Sequence, residues 1–153
     1  MPKADTWELG LLNLLFTNAT FANVGNATGL VGSSGAGSPG SLYLSLHTAS
    51  PGDTGNQQTN EATYTGYTRI AVVRTSGAWT VGETTGTASA QNAAQVTFPL
   101  CTGGSNTITH VGIGTLVSGA GQLLYYGALA SSLAVSNNIT PSFAAGALVI
   151  TED

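Results

Sequence analysis

Apolar and polar residues alternate along most of the chain from residue 42 to the C-terminus. In the segment SLYLSLH, Leu42, Leu44 and Leu46 alternate with other residues, and this period of two is typical of a half-buried β-strand. Similar short runs follow, separated by turn residues such as glycine, proline and serine. They cover residues 67–73, 78–81, 87–91, 94–98, 108–115, 122–128 and 147–151. Short strands at such spacing predict a mainly β protein, an antiparallel β-sandwich.

The N-terminal residues carry the only helical pattern. Five apolar residues would lie on or next to one face of a helix. They are Trp7, Leu11, Leu14, Leu15 and Phe16. This short helix either packs on its own domain or forms an arm that docks on a neighbouring subunit. The following residues are rich in glycine, serine and asparagine, as in a linker. The predicted organisation is therefore an N-terminal helical arm and linker over residues 1–40 and a β-sandwich domain over residues 41–153.

The low charge of the chain limits the classes of partner that it can bind. Charged residues make up 7% of the chain and the net charge is −4, with three basic residues in all. Nucleic-acid binding requires a Lys/Arg footprint that displaces counterions from phosphates, and anionic membranes attract the same residues. We therefore expect neither nucleic acid nor a membrane as partner. A weakly charged surface rich in threonine, serine and asparagine can be covered by neighbours, which favours a protein that works in an assembly.

No group of residues predicts catalysis. The two histidines, His47 and His110, lie on separate predicted strands, and the sequence lacks the G-x-S-x-G motif that presents a nucleophilic serine. Nothing in the sequence pairs two carboxylates as glycoside hydrolysis requires. We expect a protein that is not an enzyme and that uses no cofactor.

Metal binding is also disfavoured. Two histidines and the single Cys101 do not complete the four ligands of a structural zinc site. Asp53 and Glu61 flank a polar stretch with oxygen ligands suited to calcium, but this stretch lacks the acid spacing of an EF-hand. We therefore expect ordinary loop contacts and no metal. Cys101 has no basic neighbour in sequence and is expected to act as a small apolar residue in a protein that folds in a reducing cytoplasm.

Two charged residues of opposite sign in the middle of the chain are suited to form an ion pair. Glu61 lies near the end of the polar loop over residues 48–63, and Arg69 lies in the predicted strand that follows it. Because the chain holds so few charges, an arginine inside a strand most simply pairs with a nearby acid. We predict a structural ion pair between Glu61 and Arg69, and the alternative is that the arginine contacts a partner subunit.

Residues 42–74 contain a distinctive set of short motifs. These are Leu46-His47-Thr48-Ala49, Pro51-Gly52, Asn60-Glu61, Tyr64-Thr65-Gly66-Tyr67 and Arg69, with Trp79 shortly after. Together with the C-terminal segment FAAGALVI, this set resembles tailed-phage capsid cement (decoration) proteins. The resemblance covers residue 42 to the end of the chain and implies a small jelly-roll-like protein on the virion.

The resemblance implies a structural role. Such a protein would bind across capsomers of the phage head and stabilise the shell, with the major capsid protein and further copies of itself (a dimer or trimer) as partners. Expected contact residues are the five arm residues and four residues in and after the polar loop: Asp53, Gln57, Glu61 and Tyr64. The alternatives are a tail, neck or fibre-associated virion protein and a carbohydrate-binding β-sandwich module.

Overall fold

The computed structural model describes residues 5–19, 40–84 and 87–152. Its elements are helix α1 (Asp5–Leu12), a π-helical turn (Asn13–Thr17), and strands β1 (Ser41–His47), β2 (Ile70–Val73), β3 (Trp79–Thr84), β4 (Thr87–Asn92), β5 (Val96–Thr97), β6 (Ser105–Gly114), β7 (Leu123–Ser136), β8 (Ser142–Phe143) and β9 (Val149–Glu152). Among these strands, β1 pairs with β6, β6 with β7, β3 with β4, β4 with β9 and β5 with β8, each antiparallel. The expected mainly β class, with antiparallel sheets and one short N-terminal helix, is confirmed.

One compact unit, here called the four-stranded unit, comprises residues 41–72 and 96–143. It contains a four-stranded sheet in the order β2-β1-β6-β7 and the two-stranded sheet β5-β8. Leu42, Leu44 and Leu46 are buried at 3%, 0% and 0% exposure, so the predicted core face of β1 is confirmed. Other buried apolar residues of this unit include Phe98, Ile108, Ile113 and Val135.

The longest strand of this unit, β7, does not pair evenly with β6. Ile108 pairs with Leu133 and His110 pairs with Ala128. Residues 129–132 of β7 therefore stand opposite a single residue of β6 and form a bulge. Such an insertion disrupts the ladder locally and increases its twist.

The other compact unit, the helix unit, comprises the described parts of residues 1–40, 73–95 and 144–153. Its sheet has the order β3-β4-β9, and α1 packs against all three strands. Phe16 and Trp79 are both fully buried, and their ring centroids lie 4.6 Å apart in an edge-to-face arrangement. In this structure the N-terminal helix therefore packs on the sheet of its own unit.

Arg74 closes the C-terminal end of the N-terminal helical segment. Its Nε donates to the carbonyl of Leu15 at 2.5 Å and its Nη2 to the carbonyl of Leu14 at 2.6 Å. A cation at this end satisfies carbonyls that lack a partner within the helix and complements the helix dipole. The side chain of Trp7 and most of the predicted linker, residues 20–39, lie outside the described residues.

No helix within residues 5–19, 40–84 and 87–152 is long and apolar enough to cross a membrane. Within the same residues, no three His, Cys, Asp or Glu side chains are grouped so that they could hold a metal ion.

Candidate interaction surface

The candidate surface is built by residues 48–63, here called the polar loop. The loop leaves β1 and returns to it, because the N–H of Thr48 donates to the carbonyl of Asn60 and the N–H of Ala62 to that of Leu46, each at 2.8 Å. These two backbone bonds close the base of the loop on the end of its own strand. The loop is therefore tied to the sheet at both ends.

Gln57 fixes the middle of the polar loop. Its side chain is fully buried; Nε2 donates to the carbonyl of Tyr43 at 3.3 Å and Oε1 accepts from the N–H of Leu116 at 2.9 Å. Its backbone N–H donates to the carbonyl of Gly121 at 3.0 Å. A buried amide satisfied in this way is a stable core feature. Gln57, expected from sequence as a partner contact, is therefore engaged within its own unit.

Two glycines make room for the Gln57 amide. A Cβ atom at Gly114 would overlap the Gln57 side-chain carbons, and one at Gly121 would overlap its Oε1. Gly114 ends β6, and Gly121 lies in residues 115–122, here called the hairpin turn, which joins β6 to β7. The absence of a side chain at these positions allows the loop and the turn to approach closely.

Arg69 ties the polar loop to the hairpin turn a second time. Its Nε lies 2.6 Å from Glu61 Oε1 and its Nη2 lies 2.7 Å from Glu61 Oε2, so that the pair is bidentate. Nη1 also donates to the carbonyl of Leu116 at 2.9 Å, and Nη2 to that of Gly119 at 2.8 Å. Arg69 is only 5% exposed. Bidentate, charge-assisted bonds of this kind are among the strongest hydrogen bonds in proteins.

Tyr67 extends the same network to the edge of β1. Its hydroxyl donates to Glu61 Oε1 at 2.9 Å and accepts the N–H of Leu46 at 3.0 Å. Burial raises the pKa of Tyr67 far above its ordinary value. The phenol therefore stays protonated and keeps donating to the carboxylate.

His47 holds the last part of the polar loop. Its Nδ1 lies 2.8 Å from the carbonyl of Thr59, which assigns the ring proton to Nδ1, and its Nε2 accepts from the Ser45 hydroxyl at 2.8 Å. Burial lowers the pKa of His47, which keeps the ring neutral and this tautomer in place. Ser45 and His47 are both fully buried, so the pair fastens the loop to the strand.

The outer side of the polar loop includes an exposed hydrogen bond to β7. The Tyr126 hydroxyl of β7 donates to Asp53 Oδ1 at 2.5 Å. This hydrogen bond to Asp53 raises the pKa of Tyr126. Asp53 is exposed and Tyr126 is 38% exposed, so this hydrogen bond lies on the solvent-facing side of the polar loop.

The other residues expected from sequence to contact partners occupy different environments. Tyr64 is 3% exposed; its hydroxyl donates to the carbonyl of Pro99 at 3.1 Å, and burial raises its pKa to about 12. In the N-terminal helical segment, Leu11, Leu14 and Leu15 are half-buried and Phe16 is buried. The structure does not bring these helix residues together with the polar loop in one unit.

The hairpin turn presents apolar residues that sequence reasoning missed. Leu116 is 50% exposed and Val117 is 58% exposed, while the backbone of Leu116 is held by Gln57 and Arg69. The polar loop, the Glu61–Arg69 pair and the turn thus form a rigid base under two exposed apolar side chains. The signal in the sequence was the apolar pair in GTLVSGAG, a segment whose glycines and serine otherwise indicate a turn.

Comparison with known proteins gives one family. A family model described as "Podophage GP4 fiber I protein gp80" matches residues 3–151, nearly the whole chain. No curated protein matches the chain.

Proposed function

The chain belongs to the podophage GP4 fiber I protein gp80 family, and from this premise we propose that it is a fibre-associated structural protein of the phage particle. The single observation that carries the proposal is the family match over residues 3–151. The family is one of phage virion structural proteins. Because its description names a fibre protein, it favours the fibre-associated alternative over a capsid cement on the head surface.

The described surface suits a role in assembly. A loop held by buried hydrogen bonds and a bidentate ion pair keeps its shape, and a rigid surface loses little conformational entropy when it binds. The low charge of the chain leaves apolar contacts and backbone hydrogen bonds as the main sources of affinity. The proposed partners are neighbouring virion proteins and further copies of this chain, and the proposed role involves no catalytic step.

Particles that lack the protein test this proposal. Virions from a phage carrying a nonsense codon in this gene would be imaged by cryo-electron microscopy beside virions of the same phage with the gene supplied in trans. We expect fibre density at the tail to be lost and head density to be unchanged. Loss of density from the head surface alone would support a cement role instead, and identical particles would contradict a virion role altogether.

A further inference from the structure

Helix α1 carries a charged residue on its buried face. Glu8 is only 2% exposed, and Leu12, one turn later on the same face, is fully buried. Leu11, Leu14 and Leu15, by contrast, are only half-buried. A helix at a protein surface normally buries its apolar residues and leaves its acids in water. The packed position of α1 therefore keeps an acid from water and leaves three leucines partly exposed to it.

Two buried polar atoms of the helix unit have no hydrogen-bond partner in the described part of the chain. They are Oε2 of Glu8 and Nε1 of Trp79, and Trp79 is the β3 residue on which Phe16 packs. Nearly all buried polar groups in native proteins are hydrogen-bonded, and a group without a partner has lost the bonds that water would supply. The carboxylate of Glu8 would regain such bonds if the helix left the sheet.

Polar side chains of the N-terminal helical segment, residues 5–17, bond within the segment itself. Nδ2 of Asn13 donates to the carbonyl of Leu9 at 3.0 Å, and Oγ1 of Thr17 donates to the carbonyl of Asn13 at 2.7 Å. These bonds do not have to break when the segment leaves the sheet. The segment is attached through apolar contacts and through the hydrogen bonds from Arg74.

The sheet beneath the segment has its own backbone ladders. β4 pairs with β3 over six residue pairs and with β9 over four. None of these pairs includes a residue of the helical segment, so the ladders are not broken when the segment detaches.

We propose that the N-terminal helical segment is a releasable element, which detaches from its sheet while the β3-β4-β9 ladders stay formed. The unpaired carboxylate of Glu8 lowers the cost of this opening, because it is kept from water when the segment is docked and is hydrated when the segment is detached. Opening exposes Leu12, Phe16 and Trp79, which are fully buried in the docked state. The buried acid thus sets the balance between two states of the segment.

This conformational device goes beyond the proposed function, because it is a property of the isolated chain. It is measured on the purified protein, whereas the fibre location is tested on virions. Either can therefore fail while the other stands.

Native-state hydrogen exchange of the purified full chain tests the release. We expect the amides of residues 9–17 to exchange at least about tenfold faster than those of the central strand β4, through an opening that depends less on urea. In Glu8→Met, which has a side chain of similar length without the charge, exchange of residues 9–17 should slow about tenfold. Glu83→Met makes the same change at an exposed glutamate of the same unit and should leave this exchange unchanged.

Glu8→Gln keeps the shape of the side chain and removes its charge, so the test does not depend on the folding of the methionine variant. We expect a smaller slowing of exchange in the same residues. Equal exchange rates and equal urea dependence of the helical and β4 amides would overturn the proposal, because the segment would then leave only when the unit unfolds. Unchanged or faster exchange of residues 9–17 in both Glu8 variants would also overturn it, because the carboxylate would then not weaken the docked state.

Discussion

At the scale of single residues, the buried Glu61–Arg69 pair affects the free energy of unfolding mainly when one partner is removed. Arg69 is 5% exposed and has four hydrogen bonds, two to Glu61 and two to carbonyls of the hairpin turn. Removing one partner of a buried ion pair leaves the other charge uncompensated. We expect Arg69→Met to lower the free energy of unfolding by about 3 kcal/mol, as measured by urea denaturation.

A double-mutant cycle isolates the pair. Glu61→Gln combined with Arg69→Met should cost less than the sum of the two single variants, because no buried charge is then left alone. Glu83→Gln, at an exposed glutamate, controls for loss of a surface charge and should change stability by less than about 0.5 kcal/mol. Simple additivity of the two single effects would contradict the coupling.

The burial of His47 predicts that the stability of the protein depends on pH. Burial lowers its pKa in the folded state below the ordinary value of 6.5, while the unfolded chain titrates near that value. The unfolded state therefore binds the proton first, and stability present above pH 6.5 is lost as the pH falls towards the folded pKa. Glu61, Arg69 and His110 also act on the ring electrostatically, as smaller influences than burial.

Denaturation curves at pH 7.5 and pH 5 measure this loss. His47→Gln removes the titrating ring and should flatten the pH dependence, although it also lowers stability at neutral pH. His110→Gln, at the half-buried histidine of β6, is the matched control and should keep most of the slope, because His110 affects the His47 ring less than burial does. If His47→Gln keeps the full slope, another group carries the pH dependence.

At the scale of elements, Gln57 joins the polar loop to the hairpin turn. Gln57→Ala leaves the N–H of Leu116 without its partner and opens a cavity beside two glycines that fit the amide. We expect a loss of about 2–3 kcal/mol and faster hydrogen exchange in the polar loop and in residues 115–122.

The neighbouring exposed Gln58 provides the control for this variant. Gln58→Ala removes the same side chain from the same loop without a buried partner, so its effect should stay within about 0.5 kcal/mol. Equal effects of the two variants would show that the buried amide does not hold the loop.

The sequence predicted β1 because its alternation of leucines is a local pattern, and burial of one face follows directly from it. Gln57 could not be found in this way: a glutamine in a polar loop is usually exposed, and its burial depends on glycines more than 50 residues away in the chain. The extent of β7 was also missed. The pattern predicted a strand over residues 122–128, whereas β7 continues to Ser136, because the bulge interrupts the period of two.

At the scale of the whole molecule, the two compact units divide the predicted contact residues. The arm residues lie in the helix unit, where Phe16 packs on Trp79, and the polar-loop residues lie in the four-stranded unit. That the partly exposed Leu11, Leu14 and Leu15 contact a partner protein stays a prediction. The exposed apolar pair of the hairpin turn offers a sharper test of assembly, since changing it should not disturb either core.

Incorporation of the protein into virions tests the role of Leu116 and Val117. Leu116→Ser with Val117→Ser removes two side chains that are 50% and 58% exposed, so the thermal stability of the protein should change little. Leu100→Ser is the matched control, because Leu100 is an apolar residue of the same unit with 44% exposure. We expect the ratio of this protein to the major capsid protein in purified particles, measured by mass spectrometry, to fall several-fold for the turn variant and to stay constant for the control. Equal incorporation of the two would mean that the hairpin turn faces solvent in the particle, and assembly would then depend on another surface of the chain.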